Sequence, residues 1–169
     1  MEIKNKELHR ITSTAIIYKE DKYLLLKRSL KKKAFPGQWT VPGGGLEVDD
    51  YANTPKTTKD HWYFAIEKSL RREIKEECNL EVGKMKYLID IAFIRPDGVP
   101  TIILSFYTPF KSGEVRLEEE ENTEYAWVNY EEAKEYDLVE GLLEEIEMVD
   151  KILKGKGEDE IEYNQDSYK

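Results

Sequence analysis

The sequence predicts an α/β fold in which a mixed β-sheet lies between helices. Short runs rich in β-branched and aliphatic residues alternate along the chain with longer segments whose apolar residues recur at helical spacing. A chain of 169 residues with 40% apolar content can also bury one substantial core. We therefore expect a single domain over residues 1–154, followed by a polar, disordered tail over residues 155–169.

Six segments have the composition of β-strands and are bounded by turn residues. They lie at residues 12–19, 22–28, 39–41, 82–94, 101–108 and 124–128. The first two should form a hairpin around Glu20-Asp21. Pro96-Asp97-Gly98 is typical of a tight turn and should join the fourth and fifth segments into a long hairpin. The third segment leads into three consecutive glycines at 43–45.

Three helices are expected between and after these strands. The first should run from about His61 to Cys78 with Asp60 as its N-cap, and Ile66, Leu70 and Ile74 at i, i+4 and i+8 should pack on the sheet. Asn129 should cap a short helix that continues through Tyr136. A C-terminal helix over residues 142–153 has its apolar positions at Leu142, Leu143, Ile146, Val149 and Leu153.

Three glutamates of the first helix point to a divalent metal. Glu73, Glu76 and Glu77 are spaced i, i+3 and i+4, so they crowd onto one side of the helix. Such crowding is unfavourable without a cation, and a cluster of hard oxygen ligands suits Mg²⁺ or Mn²⁺. The chain has no Cys/His pair with the spacing of a zinc site. The alternative interpretation of the three acids is a solvated helix face.

The acids and the glycines together resemble a known signature. Trp39-Thr40-Val41-Pro42-Gly43-Gly44-Gly45-Leu46-Glu47 precedes Arg72-Glu73-Ile74-Lys75-Glu76-Glu77. This order is similar to that of the Nudix hydrolases, in which a glycine-rich strand and loop lead into a helix of the form Arg-Glu-(aliphatic)-x-Glu-Glu-x-Gly-(aliphatic). The resemblance extends from Thr12 to about Val128. It implies a Nudix-type α/β/α sandwich with a mixed sheet between the helices.

The signature is interrupted by an insertion. Arg72 lies 28 positions after Gly44, whereas the family pattern has 14, and the added residues fall within a loop over 48–63. The Glu that the pattern places midway falls on Asp50 when counted forward from Gly44 and on Phe64 when counted back from Arg72. In the family this Glu mainly orients other groups, so we assign neither residue a catalytic role. Asn79 replaces the last Gly of the pattern, and it tolerates the left-handed conformation that closes a helix.

The resemblance implies a role for each residue of the site. A divalent cation, Mg²⁺ with Mn²⁺ as a possible substitute, would be held by Glu73, Glu76 and Glu77 with the backbone carbonyl of Gly43 or Gly44. Arg72 can pair with Glu76 at i+4 and hold it in position. The general base is either a glutamate of the helix, such as Glu76, or a later one. Among the glutamates at 118–121, alignment with the family pattern in the residues before Trp127 favours Glu121. Such a run of glutamates is also typical of a solvated loop.

Substrate-binding residues are expected at two places. Arg28 ends a predicted strand, and the resemblance implies that this position faces the phosphates of the substrate. The neighbouring Lys31, Lys32 and Lys33 are better explained as a solubilising loop. In the insertion, Trp62 and Tyr63 could stack on a nucleobase. The alternative is that these aromatic residues pack the start of the helix.

The implied activity is hydrolysis of the diphosphate linkage in a nucleoside diphosphate joined to another group. We expect a (d)NTP pyrophosphohydrolase that releases a nucleoside monophosphate and pyrophosphate. One alternative is an ADP-ribose or nucleotide-sugar pyrophosphatase. Pro96 favours it weakly, because the ADP-ribose subgroup tends to carry a proline at about this distance after the signature. Another alternative is a nucleotide-sensing module without catalysis, although a pure binder has no need for three crowded acids.

Composition excludes several other classes. A formal net charge of −9 argues against broad binding to nucleic acid phosphates. No run approaches 18 apolar residues, so no membrane span is expected. Cys78 is the single cysteine, and the N-terminus lacks the apolar core of a signal peptide. We therefore expect a cytoplasmic monomer or homodimer that acts on a small nucleotide.

Overall fold

The computed structural model describes residues 6–164 and places an eight-stranded mixed sheet between helices. The strands are β1 (Arg10–Lys19), β2 (Lys22–Arg28), β3 (Trp39–Thr40), β4 (Gly43–Gly45), β5 (Glu81–Val82), β6 (Lys86–Ile94), β7 (Pro100–Ser112) and β8 (Asn122–Val128). The helices are α1 (Ala65–Cys78), α2 (Tyr130–Ala133) and α3 (Leu142–Leu153), with single 3₁₀ turns at Val48–Asp50 and Glu158–Glu160. The predicted α/β/α class is confirmed.

The central strand β1 explains why the sheet is mixed. It runs parallel to β7 from the Arg10–Thr101 pair to the Tyr18–Pro109 pair, and it runs antiparallel to β2 beyond the predicted turn. Near its start, β1 pairs instead with the glycine strand β4, so that Ser13 lies opposite Gly44. Strands β1 and β2 therefore diverge, and the gap between them admits the glycines to the sheet.

Side chains alternate between two cores because successive residues of a strand point to opposite faces. On one face, Ala15 and Ile17 of β1 pack with Leu70 and Ile74 of α1. On the other face, Ile16 packs in a cluster that includes Tyr23, Ile146 and Val149. Each of these residues is fully buried. The predicted apolar stripe of α1 is confirmed at Leu70 and Ile74, which therefore decide the side of α1 that faces the sheet. The stripe of α3 is confirmed at Ile146 and Val149, whereas Leu153 at its end is exposed.

The predicted start of the first helix was wrong. Asp60 is not its N-cap, and the helix begins at Ala65 after Phe64, whose φ of 61° lies in the left-handed region. The residues before it form their own loop, in which the Thr57 and Thr58 N–H groups both donate to the His61 carbonyl. These bonds occupy the His61 carbonyl, which in a helix from His61 would accept from the Ala65 N–H. At the other end, Asn79 has a φ of 58° and closes the helix as predicted.

The predicted strand over 82–94 is two strands. It is interrupted at residues 83–85, where the Gly83 N–H donates to the Pro109 carbonyl at 2.8 Å. Strands β5 and β6 both pair with the long strand β7. The predicted hairpin between β6 and β7 is present, and Gly98 in its turn has a φ of 81°.

The C-terminal elements largely follow the sequence. Asn129 caps α2 by accepting from the Glu132 N–H, although α2 ends at Ala133 and not at Tyr136. Within the predicted tail, the Tyr107 hydroxyl donates to Glu158 at 2.7 Å, and the stretch 165–169 lies outside the described residues. Disorder of the tail stays a prediction. Across residues 6–164, no helix is long and apolar enough to cross a membrane.

Candidate active site

The predicted acids of α1 lie directly against the glycine strand. The Gly43 N–H donates to Glu77 Oε2 at 3.3 Å. A Cβ atom added to Gly44 would lie 2.2 Å from Glu73 Cδ, so only glycine leaves room for this carboxylate. The pairing of β4 with β1 fixes the positions of both glycines along the sheet. The buried residues of α1 fix the rotation of the helix about its axis, so that its acids face the glycines.

Burial raises the pKa of two of these acids, Glu77 and Glu73. Glu77 is 8% exposed, and desolvation raises its pKa to about 8. The hydrogen bond from Gly43 opposes this rise, the neighbouring charges of Glu73 and Glu121 add to it, and Arg28 lowers the pKa. Burial likewise raises the pKa of Glu73. A nearby positive charge would therefore favour the ionised form of Glu77 and Glu73 over the protonated form.

Arg72 holds three carboxylates of the site together. Its Nε and Nη2 atoms donate to the two oxygens of Asp50 at 2.5 and 3.1 Å. Its Nη1 atom lies 3.0 Å from both Glu73 Oε1 and Glu76 Oε2. The predicted pair between Arg72 and Glu76 is therefore present, and the guanidinium also orients Glu73.

Asp50 is the site residue that sequence reasoning missed. Its carboxylate is 4% exposed, and the hydrogen bonds from Arg72 lower its pKa to about 2. Asp50 thus occupies the place that forward counting from Gly44 gives to the midway acid of the Nudix pattern. The forward count was the available signal, and nothing in the sequence alone chose it over the backward count.

Two predicted site residues from other elements, Arg28 and Glu121, lie near enough to Glu77 for their charges to act on it. Arg28 ends β2 and Glu121 immediately precedes β8, and the Ser29 N–H donates to the Glu121 carbonyl at 2.9 Å. The charges of Arg28 and Glu121 both act on Glu77. The Arg28 Nε atom also donates to the Ala34 carbonyl at 2.8 Å, which fixes the base of the guanidinium.

The aromatic residues of the insertion have different environments. The Trp62 ring packs on Tyr51 with centroids 5.5 Å apart, and its Nε1 atom donates to the Thr54 carbonyl at 2.9 Å. Lys56 lies over the same ring at 5.2 Å. Trp62 therefore packs within the insertion, whereas the alternative had placed it against the start of the helix, and its contact with a nucleobase stays a prediction. Tyr63 is 54% exposed, and its contact with a nucleobase stays a prediction.

The donor set fits a hard divalent cation, although the side chains do not form a finished metal site. Among the described residues, no three His, Cys, Asp or Glu side chains converge as ligands. Glu73 and Glu76 pair with Arg72, and Glu77 accepts from Gly43. Each of these partners is a positive or partially positive group, and the carboxylate oxygens that they contact are of the type that a hard divalent cation binds.

Comparison with known proteins agrees with this geometry. The model of the NUDIX domain family matches residues 8–147. The nucleoside triphosphatase NudI of Klebsiella pneumoniae (strain 342) is 33% identical over 136 residues, which cover 73% of this chain and 84% of that protein. NudI of Escherichia coli (strain K12) is 32% identical over 133 residues, with the same coverage.

Solved structures share the fold at lower identity. The crystal structure of a MutT NUDIX hydrolase from Burkholderia pseudomallei matches with a TM-score of 0.67 at 23% identity, covering 85% of this chain and 99% of that chain. The matched family model spans most of the 169 residues and includes both the glycine strand and the acids of α1. The chain therefore belongs to the NUDIX domain family.

Proposed function

We propose that this Nudix hydrolase is a Mg²⁺-dependent nucleoside triphosphate pyrophosphohydrolase that releases a nucleoside monophosphate and pyrophosphate. The observation that carries the proposal is the contact of the α1 acids with the glycine strand, with Gly43 and Gly44 against Glu77 and Glu73. The choice of a nucleoside triphosphate is supported by the NudI relatives, which are named nucleoside triphosphatases.

Nudix hydrolases generally use a divalent metal ion. In this chain Glu73, Glu76 and Glu77, with a backbone carbonyl of Gly43 or Gly44, would hold Mg²⁺, and Mn²⁺ could substitute. A bound Mg²⁺ supplies neutralisation of the phosphoryl oxygens and a lower pKa for a coordinated water. The burial that raises the pKa of Glu77 to about 8 also strengthens its attraction to a cation.

The remaining residues would bind the substrate, orient the metal ligands or accept a proton. Arg28 would hold the substrate phosphates, since a guanidinium recognises phosphate oxygens through several hydrogen bonds. Arg72, itself anchored by Asp50, would keep Glu73 and Glu76 aimed at the cation. For the general base we favour Glu121, whose charge acts on Glu77. Glu76, whose carboxylate pairs with Arg72, is the alternative base.

The same proposal includes the finer expectations from the sequence. The partner is a small nucleotide rather than a nucleic acid, since the net charge is −9. The location is cytoplasmic, and the protein is a monomer or homodimer.

Hydrolysis of ADP-ribose or a nucleotide sugar is the second candidate. The NUDIX domain of NrtR from Shewanella oneidensis, which was crystallised with ADP ribose, has the same fold with a TM-score of 0.64, at 16% identity and with 87% of this chain covered. Pro96 favours this class less than its spacing suggested, because residues 95–99 form the turn of the β6–β7 hairpin. A sensor without catalysis is the third candidate.

The deciding experiment is a turnover assay on nucleoside triphosphates, ADP-ribose, dinucleoside polyphosphates and nucleotide sugars with Mg²⁺ or Mn²⁺. We expect nucleoside triphosphates to give monophosphate and pyrophosphate. Glu77→Gln should abolish this turnover, whereas Glu81→Gln, which changes an exposed glutamate of β5, should retain it. Turnover of ADP-ribose alone would select the second candidate. Binding of a nucleotide without turnover in the wild type would select the sensor.

A further inference from the structure

Two consecutive lysines after β2 pair with two consecutive glutamates before β8, but in different surroundings. Lys31 Nζ lies 2.9 Å from Glu120, and both side chains are more than 70% exposed. Lys32 pairs with Glu121, and there the exposed fractions are 28% and 33%. The first pair therefore lies in solvent, whereas the second is partly enclosed beside the active site. Both lysines were predicted to belong to a solubilising loop.

The backbone holds the Lys32–Glu121 pair in place. Ser29 is buried, its N–H donates to the Glu121 carbonyl at 2.9 Å, and its own carbonyl accepts from the Lys32 N–H at 3.1 Å. The Lys31 N–H also donates to the Ser29 hydroxyl at 3.2 Å. Lys32 and Glu121 thus emerge from a single hydrogen-bonded junction between β2 and β8, and their relative position follows from the sheet.

The pair borders the acids of α1. The charge of Glu121 acts on Glu77, and the Glu118 N–H donates to the Glu77 carbonyl at 3.3 Å, so this loop runs along the end of the helix. Lys32 contacts Glu121 through Oε2. A carboxylate has two oxygens, so Oε1 keeps its lone pairs for another partner.

We propose that Lys32 is a positioning residue for the hydrolysis: its ammonium group holds Glu121 so that Oε1 accepts the proton of the attacking water. The inference rests on the proposed function. In that step a water O–H bond breaks and its proton passes to Oε1 of Glu121. The water oxygen bonds to phosphorus, and pyrophosphate leaves with the electrons of the broken P–O bond. A base held in reach of its proton raises kcat more than it changes substrate affinity.

The test compares Lys32→Met with the matched control Lys31→Met. Both changes remove a charge and keep an unbranched side chain, but Lys31 lies in the exposed pair. We expect Lys32→Met to lower kcat about tenfold, the effect of about 1.4 kcal/mol in the transition state, with KM changed less than twofold. Lys32→Arg should restore most of kcat. Lys31→Met should behave as wild type, and thermal melts should show all variants folded, with Lys32→Gln as a substitute for an unfolded Lys32→Met.

A double-mutant cycle separates positioning from direct contact with the substrate. If Lys32 acts through Glu121, then adding Lys32→Met to Glu121→Gln lowers kcat no further. Independent losses, or a raised KM with unchanged kcat, would mean that Lys32 binds the substrate phosphates and would overturn the inference. Equal activity of Lys32→Met and Lys31→Met would overturn it while the proposed function stands. A wild type without turnover on any substrate would refute both.

Discussion

Glu145 is a buried acid on the sheet face opposite the active site, and it should couple the stability of the protein to pH. It lies on α3, is 7% exposed and accepts a hydrogen bond from the Ser105 hydroxyl of β7 at 2.5 Å. Burial raises its pKa from 4.5 to about 7, the Ser105 hydrogen bond opposes the rise, and the charge of Glu144 adds to it. The folded state therefore binds a proton that the unfolded state loses in the same pH range.

The sign and size of the effect follow from this difference. Below pH 4.5 both states are protonated, so the contribution of Glu145 to stability is fully present. As the pH rises through about 7, the unfolded chain ionises freely while the folded protein must bury a charge, and stability is lost. At about 1.4 kcal/mol per pH unit the total loss is about 3 kcal/mol, and most of it falls between pH 5 and 8.

The assay is urea unfolding of the wild type and Glu145→Gln at pH 5, 6, 7 and 8. The amide can still accept the Ser105 hydrogen bond but carries no charge at any of these values. We expect the stability of the wild type relative to Glu145→Gln to fall by roughly 2 to 3 kcal/mol from pH 5 to pH 8. Glu140→Gln, at an exposed position, should leave the pH dependence of the wild type unchanged. Parallel curves for wild type and Glu145→Gln would refute the reasoning.

Three further predictions concern the active site. Asp50→Asn should remove the charge that anchors Arg72, lowering stability by about 2 kcal/mol and reducing kcat, which urea unfolding and turnover assays would measure. Gly44→Ala should displace the Glu73 carboxylate, so turnover should fall strongly while the melting temperature changes little; normal turnover would contradict the close contact. Deleting most of residues 54–59 should alter the ratio of kcat/KM values among substrates more than the maximal rate, and an unchanged profile would show that this loop is only structural.

The parts of the site that the sequence predicted are those set by regular periodicity. The spacing of Glu73, Glu76 and Glu77 places them on one side of α1 whatever the tertiary structure, and the apolar stripe decides which side. The glycines were recognisable because a close approach to a carboxylate leaves no room for Cβ, as the contact of Gly44 with Glu73 demonstrates.

The parts that were missed depend on which hydrogen bonds and ion pairs form once the chain is folded. Asp60 has the chemistry of an N-cap, but the hydrogen bonds of residues 57–61 compete with it and move the start of the helix to Ala65. Lys32 is indistinguishable from Lys31 in a basic run, and only the register of β2 on β8 places one in solvent and the other beside Glu121. No local pattern carries that register.

The contacts of Arg72 explain why an interrupted signature can retain its geometry. Arg72 donates to Asp50, which precedes residues 51–64, and to Glu76, which follows them, so side chains join the two halves of the signature. The insertion packs on itself through Trp62 and Tyr51, and lengthening a loop whose ends are already held costs little chain entropy. The acids of α1 therefore keep their contacts with the glycine strand. We expect changes within the insertion to alter substrate choice without moving these acids.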